Sequence, residues 1–191
     1  MLDQLTAGLA QALAGRSRAM LERPDKTVAA VLVPLLAVDG DLHLLFTRRS
    51  ASLTHHQGQI AFPGGTRDPD DPDLLTTALR EAHEEIGLAP ADVQVLGALD
   101  DLETVSSRFV ITPFVGLVPH PYPWRPSPRE VDAVFTVAVG RLSEPGIERR
   151  ETWDFGGQEY PVDLYAVDGH VIWGATHRMT RGLLELLGRL T

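Results

Sequence analysis

The chain has no cysteine among its 191 residues, which excludes disulfides, thiolate nucleophiles and Cys-based zinc or iron–sulfur sites. It is almost without lysine: of 17 basic residues, only Lys26 is not arginine. It lacks the ~18 uninterrupted apolar residues of a membrane span, and its first turns lack the compact apolar run of a signal peptide. It also lacks any excess of positive charge, with a formal net charge of −9. Broad binding to nucleic acid or to an anionic membrane needs a cationic face and is not expected. These absences make a cytoplasmic protein without nucleic-acid or membrane partners the default expectation. A polyanionic substrate remains compatible where divalent cations and arginines offset the surrounding carboxylates.

What is present is ordinary for a globular protein: 43% hydrophobic and 23% charged residues. The length suits one domain spanning 1–191 with a substantial core. Apolar, β-rich runs recur at Thr27–Val38, Leu42–Thr47, Val93–Leu99, Phe109–Val118, Val131–Val139 and Tyr160–Val167, with a short partner at His170–Trp173. Asp39-Gly40 and Asp168-Gly169 mark hairpin turns between such runs. Three helices are predicted. Met1–Arg23 is amphipathic through Leu2, Leu5, Leu9 and Leu13. Asp73–Gly87 carries its own N-cap and C-cap residues. Thr176–Leu190 is rich in leucine. His120–Arg129 holds four prolines and reads as an irregular loop. Strands with helices interspersed imply an α/β (α+β mixed) fold, a mixed sheet with flanking helices. The terminal helices offer either cover for that sheet or a homodimer contact.

The chemistry concentrates between Phe62 and Leu88. Phe62-Pro63-Gly64-Gly65 ends an apolar strand with two conformationally free residues. A polar loop, Thr66 to Pro72, leads into a helix containing Arg80-Glu81-Ala82-His83-Glu84-Glu85-Ile86-Gly87. On a helix, Glu81, Glu84 and Glu85 fall within about 100° of each other. Leu75, Leu79, Ala82 and Ile86 form a separate stripe that should face the core. Carboxylates so close repel one another, and a cation between them removes the penalty. Oxygen-only ligands select hard cations such as Mg²⁺ or Mn²⁺ over zinc. The plain alternative is a solvated acidic face on which Arg80 pairs with Glu84.

On these residues the stretch resembles the Nudix box, a pattern of Gly, five residues, Glu, seven residues, Arg-Glu, an apolar residue, any residue, Glu-Glu, any residue, Gly and an apolar residue. Arg80 to Leu88 matches its second half in full. In the first half Gly65 lies one residue too far from Arg80, and the early Glu has no exact counterpart. Asp71 stands at the matching distance from Gly65, with Asp70 and Asp73 nearby, as a one-residue loop insertion would give. Upstream, Leu45-Phe46-Thr47-Arg48-Arg49-Ser50, Gly58 and Phe62-Pro63-Gly64-Gly65 resemble the additional signature of the coenzyme A diphosphatase branch, although an Arg near Thr54 is missing. Thr77–Glu81, Ile111–Val115 and Ile172–Thr176 are similar to that branch too, so the likeness runs over roughly residues 27 to 180.

The resemblance implies a Nudix-like α/β/α sandwich with the box at about 65–88. It implies metal-dependent hydrolysis of the diphosphate in coenzyme A or a derivative, giving 4′-phosphopantetheine and adenosine 3′,5′-bisphosphate. Glu84 and Glu85 are then the first metal ligands. Glu81 is a third ligand or the group that orients water, and Arg80 holds a carboxylate in place. Glu130, with Glu103 as the alternative, is the candidate for a further acidic residue from outside the box. Arg48, Arg49 and Arg67, with Gly64 and Gly65, are candidate substrate contacts, and Tyr122 and Trp124 could stack on adenine. His55 and His56 do not suggest a two-His metal site, because neighbours on extended chain point apart. Two other readings stay open: the same chemistry on ADP-ribose, a dinucleotide or a modified nucleoside triphosphate, and a module that binds a nucleotide without cleaving it.

Overall fold

A computed structural model describes residues 2–52, 57–104 and 108–190. The central strand is β1 (Thr27–Val38), an almost unbroken apolar run with eight consecutive buried residues. Such a run suits a strand covered on both faces. On one side β1 pairs antiparallel with β2 (Asp41–Arg49), and on the other it runs parallel to β7 (Phe109–Val118) from Thr27↔Phe109 to Leu36↔Val118. β3 (Ile60–Ala61) and β8 (Val131–Ala138) join β2, β4 (Gly64–Thr66) joins the start of β1, and β5 (Gln94–Ala98) and β6 (Leu102–Glu103) join β7. The mixed sheet predicted from the sequence is therefore present.

Helix α2 (Leu74–Ile86) covers one face, over a core that includes Ala30, Leu32, Leu36 and Leu45. The other face is covered by α1 (Leu2–Gly15) and α4 (Gly174–Leu187), around Leu9, Leu13, Val33, Phe46, Val115 and Leu183. A short helix, α3 (Val139–Leu142), leads into a second, three-stranded antiparallel sheet, β9 (Glu148–Asp154), β10 (Glu159–Val167) and β11 (His170–Trp173), which packs on this same side.

Three boundaries differ from the sequence expectation. The N-terminal helix stops at Gly15 instead of reaching Arg23, because the segment beyond finds better partners than a helix offers. The amides of Ala19 and Leu21 donate to the carboxylates of Asp100 and Asp101, at 2.8 and 2.9 Å. The C-terminal helix begins earlier, at Gly174, and ends at Leu187. Strand β9 was not anticipated: its sequence, Glu-Arg-Arg-Glu-Thr-Trp-Asp, is polar and mostly exposed, as an edge strand without an apolar face must be.

Candidate active site

Helix α2 begins and ends where its caps direct. Asp73 accepts a hydrogen bond from the Thr76 amide at 2.7 Å, and Gly87 closes the helix at φ 72°. That angle lies in the left-handed region that favours glycine. Its buried face is Ala78, Ala82, Glu85 and Ile86. Leu75 and Leu79, expected in the core stripe, are only half-buried. The alanines account for the change: small side chains let the helix lie close to β1 and β4, which draws Glu85 at their flank below the surface. The three carboxylates consequently sit at graded depths, with side-chain exposures of 8% for Glu85, 18% for Glu81 and 54% for Glu84.

The two glycines before the loop exist for close approach. A Cβ on Gly64 would lie 2.4 Å from the Ala30 carbonyl oxygen, and one on Gly65 would lie 2.5–2.6 Å from the Glu81 carboxylate. Gly64 donates its amide to Glu85 Oε2 at 3.2 Å. Gly64 thus packs on β1 and holds Glu85 through its amide, and Gly65 makes room for the Glu81 carboxylate.

Arg80 organises the other end. Its Nε and Nη2 donate to the two oxygens of Asp71 at 3.1 and 3.0 Å, and its Nη1 lies 3.0 Å from Glu81 and 3.4 Å from Glu84. Asp71 also accepts from the Thr77 hydroxyl at 2.9 Å and the Asp68 amide at 3.0 Å. The Arg80 guanidinium holds the Asp71 carboxyl well below the usual carboxylate range, and Asp71 in turn pushes the Arg80 pKa up. The sequence implied that Arg80 holds a carboxylate in place, without naming Asp71 as that carboxylate. The only signal was the spacing of Asp71 from Gly65.

Glu85 is in a different situation. Burial pushes its carboxyl up to about 8, and the Gly64 amide and Arg49 only partly oppose the shift. Arg49 Nη1 is 3.9 Å away, and Arg49 Nε is buried without a hydrogen-bond partner among the described residues. Burial likewise raises Glu81, with Arg80 acting against it. Glu130 adds repulsion to both Glu81 and Glu85. It stands there because the proline-broken loop caps α2: Arg125 and Ser127 donate amides to the carbonyls of Ile86 and Glu85 at 2.9 and 2.8 Å. The alternative, Glu103, is paired with Lys26 and Arg23 at the N-terminal segment.

The remaining candidates separate. Arg48 points away from Arg49 and is exposed, close enough to His170 that its charge, after burial, helps to lower that imidazole's pKa. Arg67 donates to the carbonyls of Asp71 and Pro72 at 3.0 and 3.1 Å, so its guanidinium ties down its own loop. The Tyr122 hydroxyl donates to Asp92 at 2.8 Å and accepts from the Ala89 amide at 2.9 Å, while its ring packs on Trp124. This pair holds the loop down. Thr54, His55 and His56 lie outside the described residues.

Among the described residues no three His, Asp or Glu side chains form a finished cation cage. Glu81 and Glu84 turn instead to Arg80. The donor chemistry nevertheless fits a hard divalent cation. Four carboxylates, counting Glu130, interact, and the deepest, Glu85, has no cation within hydrogen-bonding distance. Arg80 serves Glu81 and Glu84, and Glu85 is left with the Arg49 guanidinium at 3.9 Å, so further positive charge would be favourable there.

Comparison with known proteins bears on the family and the fold. The sequence profile described as NUDIX domain matches residues 26–155. A protein of Photorhabdus laumondii subsp. laumondii named "Uncharacterized Nudix hydrolase NudL" is 40% identical over 157 residues, 82% of this chain and 83% of the relative. Its namesake in Salmonella paratyphi B is 37% identical over 185 residues, 90% of this chain and 92% of the relative. Among solved structures, the Nudix hydrolase RenU of M. smegmatis superposes with a TM-score of 0.52 at 23% identity, over 63% of this chain and 78% of that one. A MutT/nudix family protein of Enterococcus faecalis gives 0.51 at 15% identity, over 93% and 66%. At these identities the structures speak to the fold alone.

Proposed function

The chain belongs to the Nudix hydrolase family, and we propose that it hydrolyses the diphosphate of coenzyme A or a close derivative, releasing 4′-phosphopantetheine and adenosine 3′,5′-bisphosphate. The observation that carries this reading is the meeting of Glu85 with Gly64 and Arg49, and of Glu81 with Gly65, which joins the helix carboxylates to the upstream signature. Glu81, Glu84 and Glu85 would hold Mg²⁺ or Mn²⁺, which when bound neutralises phosphate oxygen charge and acidifies water.

The chain's own residues have distinct work. Burial makes Glu85 hold its proton near neutral pH, so loading the site releases that proton. Arg80, fixed by Asp71, aims Glu81 and Glu84. Arg49 has a buried, unpartnered Nε and reaches toward Glu85, which suits it to bind a phosphate oxygen. Glu130, or Glu81 when not itself a ligand, orients the attacking water. No helix among the described residues is long and apolar enough to cross a membrane, which is compatible with a cytoplasmic enzyme.

The absent Arg near Thr54 favours one second reading, hydrolysis of ADP-ribose or a dinucleotide. A panel of coenzyme A, ADP-ribose and dinucleotides with Mg²⁺ or Mn²⁺, with products identified, separates the two. Coenzyme A should be cleaved to the two named products. Turnover of ADP-ribose with none of coenzyme A would overturn the proposal.

A further inference from the structure

Across the central sheet from the carboxylates, a cavity of about 520 Å³ runs along α4. Ligand sites typically measure roughly 300–1,000 Å³. Its floor is apolar, from Leu99, Leu102, Pro113, Met179 and Leu186. Its walls carry four arginines against two acids, Asp100 and Glu185. Arg16 pairs with Asp100 at 3.1 Å, and Arg181 with Glu185 at 3.0 Å. Arg178 only donates to the Glu103 carbonyl, at 2.8 Å, and Arg189 has no side-chain partner among the described residues. In a chain of net charge −9, two uncompensated guanidiniums over an apolar floor invert the local sign and select an anion.

The groove is elongated. Arg178, Gly182 and Glu185 recur on one face of α4, and Arg189 follows just beyond its end at Leu187. Gly182 sits at the middle. Glycine in a helix interior weakens the helix relative to alanine, and usually earns its place by letting another element approach. Here a Cβ would meet nothing within 4 Å. What the missing side chain leaves is open space in the centre of the groove.

We propose that this groove is a binding site for an extended amphipathic anion: an alkyl or acyl chain lying over the apolar floor, its carboxylate or phosphate head held by the free guanidinium of Arg178 or Arg189. It is separate from the hydrolytic site, and its test needs neither metal nor substrate.

Calorimetric titration of the full chain with decanoate, decyl phosphate, decanol and inorganic phosphate tests it. Decanoate and decyl phosphate should bind, the stronger of them identifying the head group. Decanol should bind at least about tenfold more weakly, since charge-assisted hydrogen bonds are lost, and inorganic phosphate should give no measurable heat. Gly182→Met fills the groove with a better helix former and should abolish binding without lowering Tm. Should that variant fail to fold, Arg178→Gln combined with Arg189→Gln carries the test and should weaken binding about tenfold or more. Absence of binding to both anions, equal affinity for decanol, or undiminished binding in the folded variants would overturn the proposal.

Discussion

Two buried carboxylates bracket the same helix, and they are built in opposite ways. Asp71, at the loop, is 5% exposed and fully partnered: two nitrogens of Arg80, a hydroxyl and an amide. Glu85, at the C-terminal turn, is 6% exposed with one amide at 3.2 Å and a guanidinium at 3.9 Å. Hydrogen bonds from Arg80 hold the Asp71 carboxyl far below its usual range, whereas Glu85 is packed more deeply and its burial outweighs its partners, raising its carboxyl to about 8. A satisfied buried charge organises structure. An unsatisfied one costs stability and is retained where something else binds there.

The contrast breaks most visibly in turnover. Glu84→Gln removes an exposed carboxylate, so it should lower kcat on the order of a hundredfold or more while Tm stays unchanged. A wild-type rate in steady-state assays would remove Glu84 from the metal site. Asp71→Asn strips Arg80 of its bidentate partner and should lower both Tm and kcat, the double loss being read by thermal melting alongside the same assay.

Glu85→Gln should do the reverse for stability. The folded pKa of Glu85 lies above the ordinary glutamate value of 4.5, so the stability of the protonated form is complete below about pH 4.5 and is lost as pH rises through about 8. Replacing it by the neutral amide should raise stability at pH 9 by up to a few kcal/mol and abolish turnover. For Asp71 the sign is opposite: its folded pKa is depressed, so its contribution is present above pH 3.8 and is lost as pH falls below. Tm measured from pH 4 to 9 should show a difference between wild type and Glu85→Gln that changes with pH, and one for Asp71→Asn that stays constant because its window lies below pH 3.8; a flat difference between wild type and Glu85→Gln would contradict the contrast.

The smallest effect is expected at Gly65→Ala. Its Cβ would need the Glu81 carboxylate to move, so kcat should fall about tenfold with little change in Tm.

Much of this arrangement was legible in the sequence, for identifiable reasons. Asp73 and Gly87 bound α2 because capping is local chemistry. Asp39-Gly40 and Asp168-Gly169 turn with positive φ at both residues, as hairpin dipeptides do. What depended on partners distant in sequence was not legible. Helical spacing placed Glu85 with its acidic neighbours, but its depth follows from how near Ala78 and Ala82 bring the helix to the sheet. Gly15 ended α1 because Asp100 and Asp101 await the next residues. Arg48 and Arg49 looked equivalent until β2 put them on opposite faces, with a register shift between them.

We read the buried turn at Glu85 as a cation site, and the proton given up on binding reports it. Mg²⁺ or Mn²⁺ titrated into the protein at pH 7, in buffers of different ionisation enthalpy, should release close to one proton per binding event. That proton should disappear by pH 9 and in Glu85→Gln. Binding without proton release at pH 7, or with the same release in Glu85→Gln, would contradict the account.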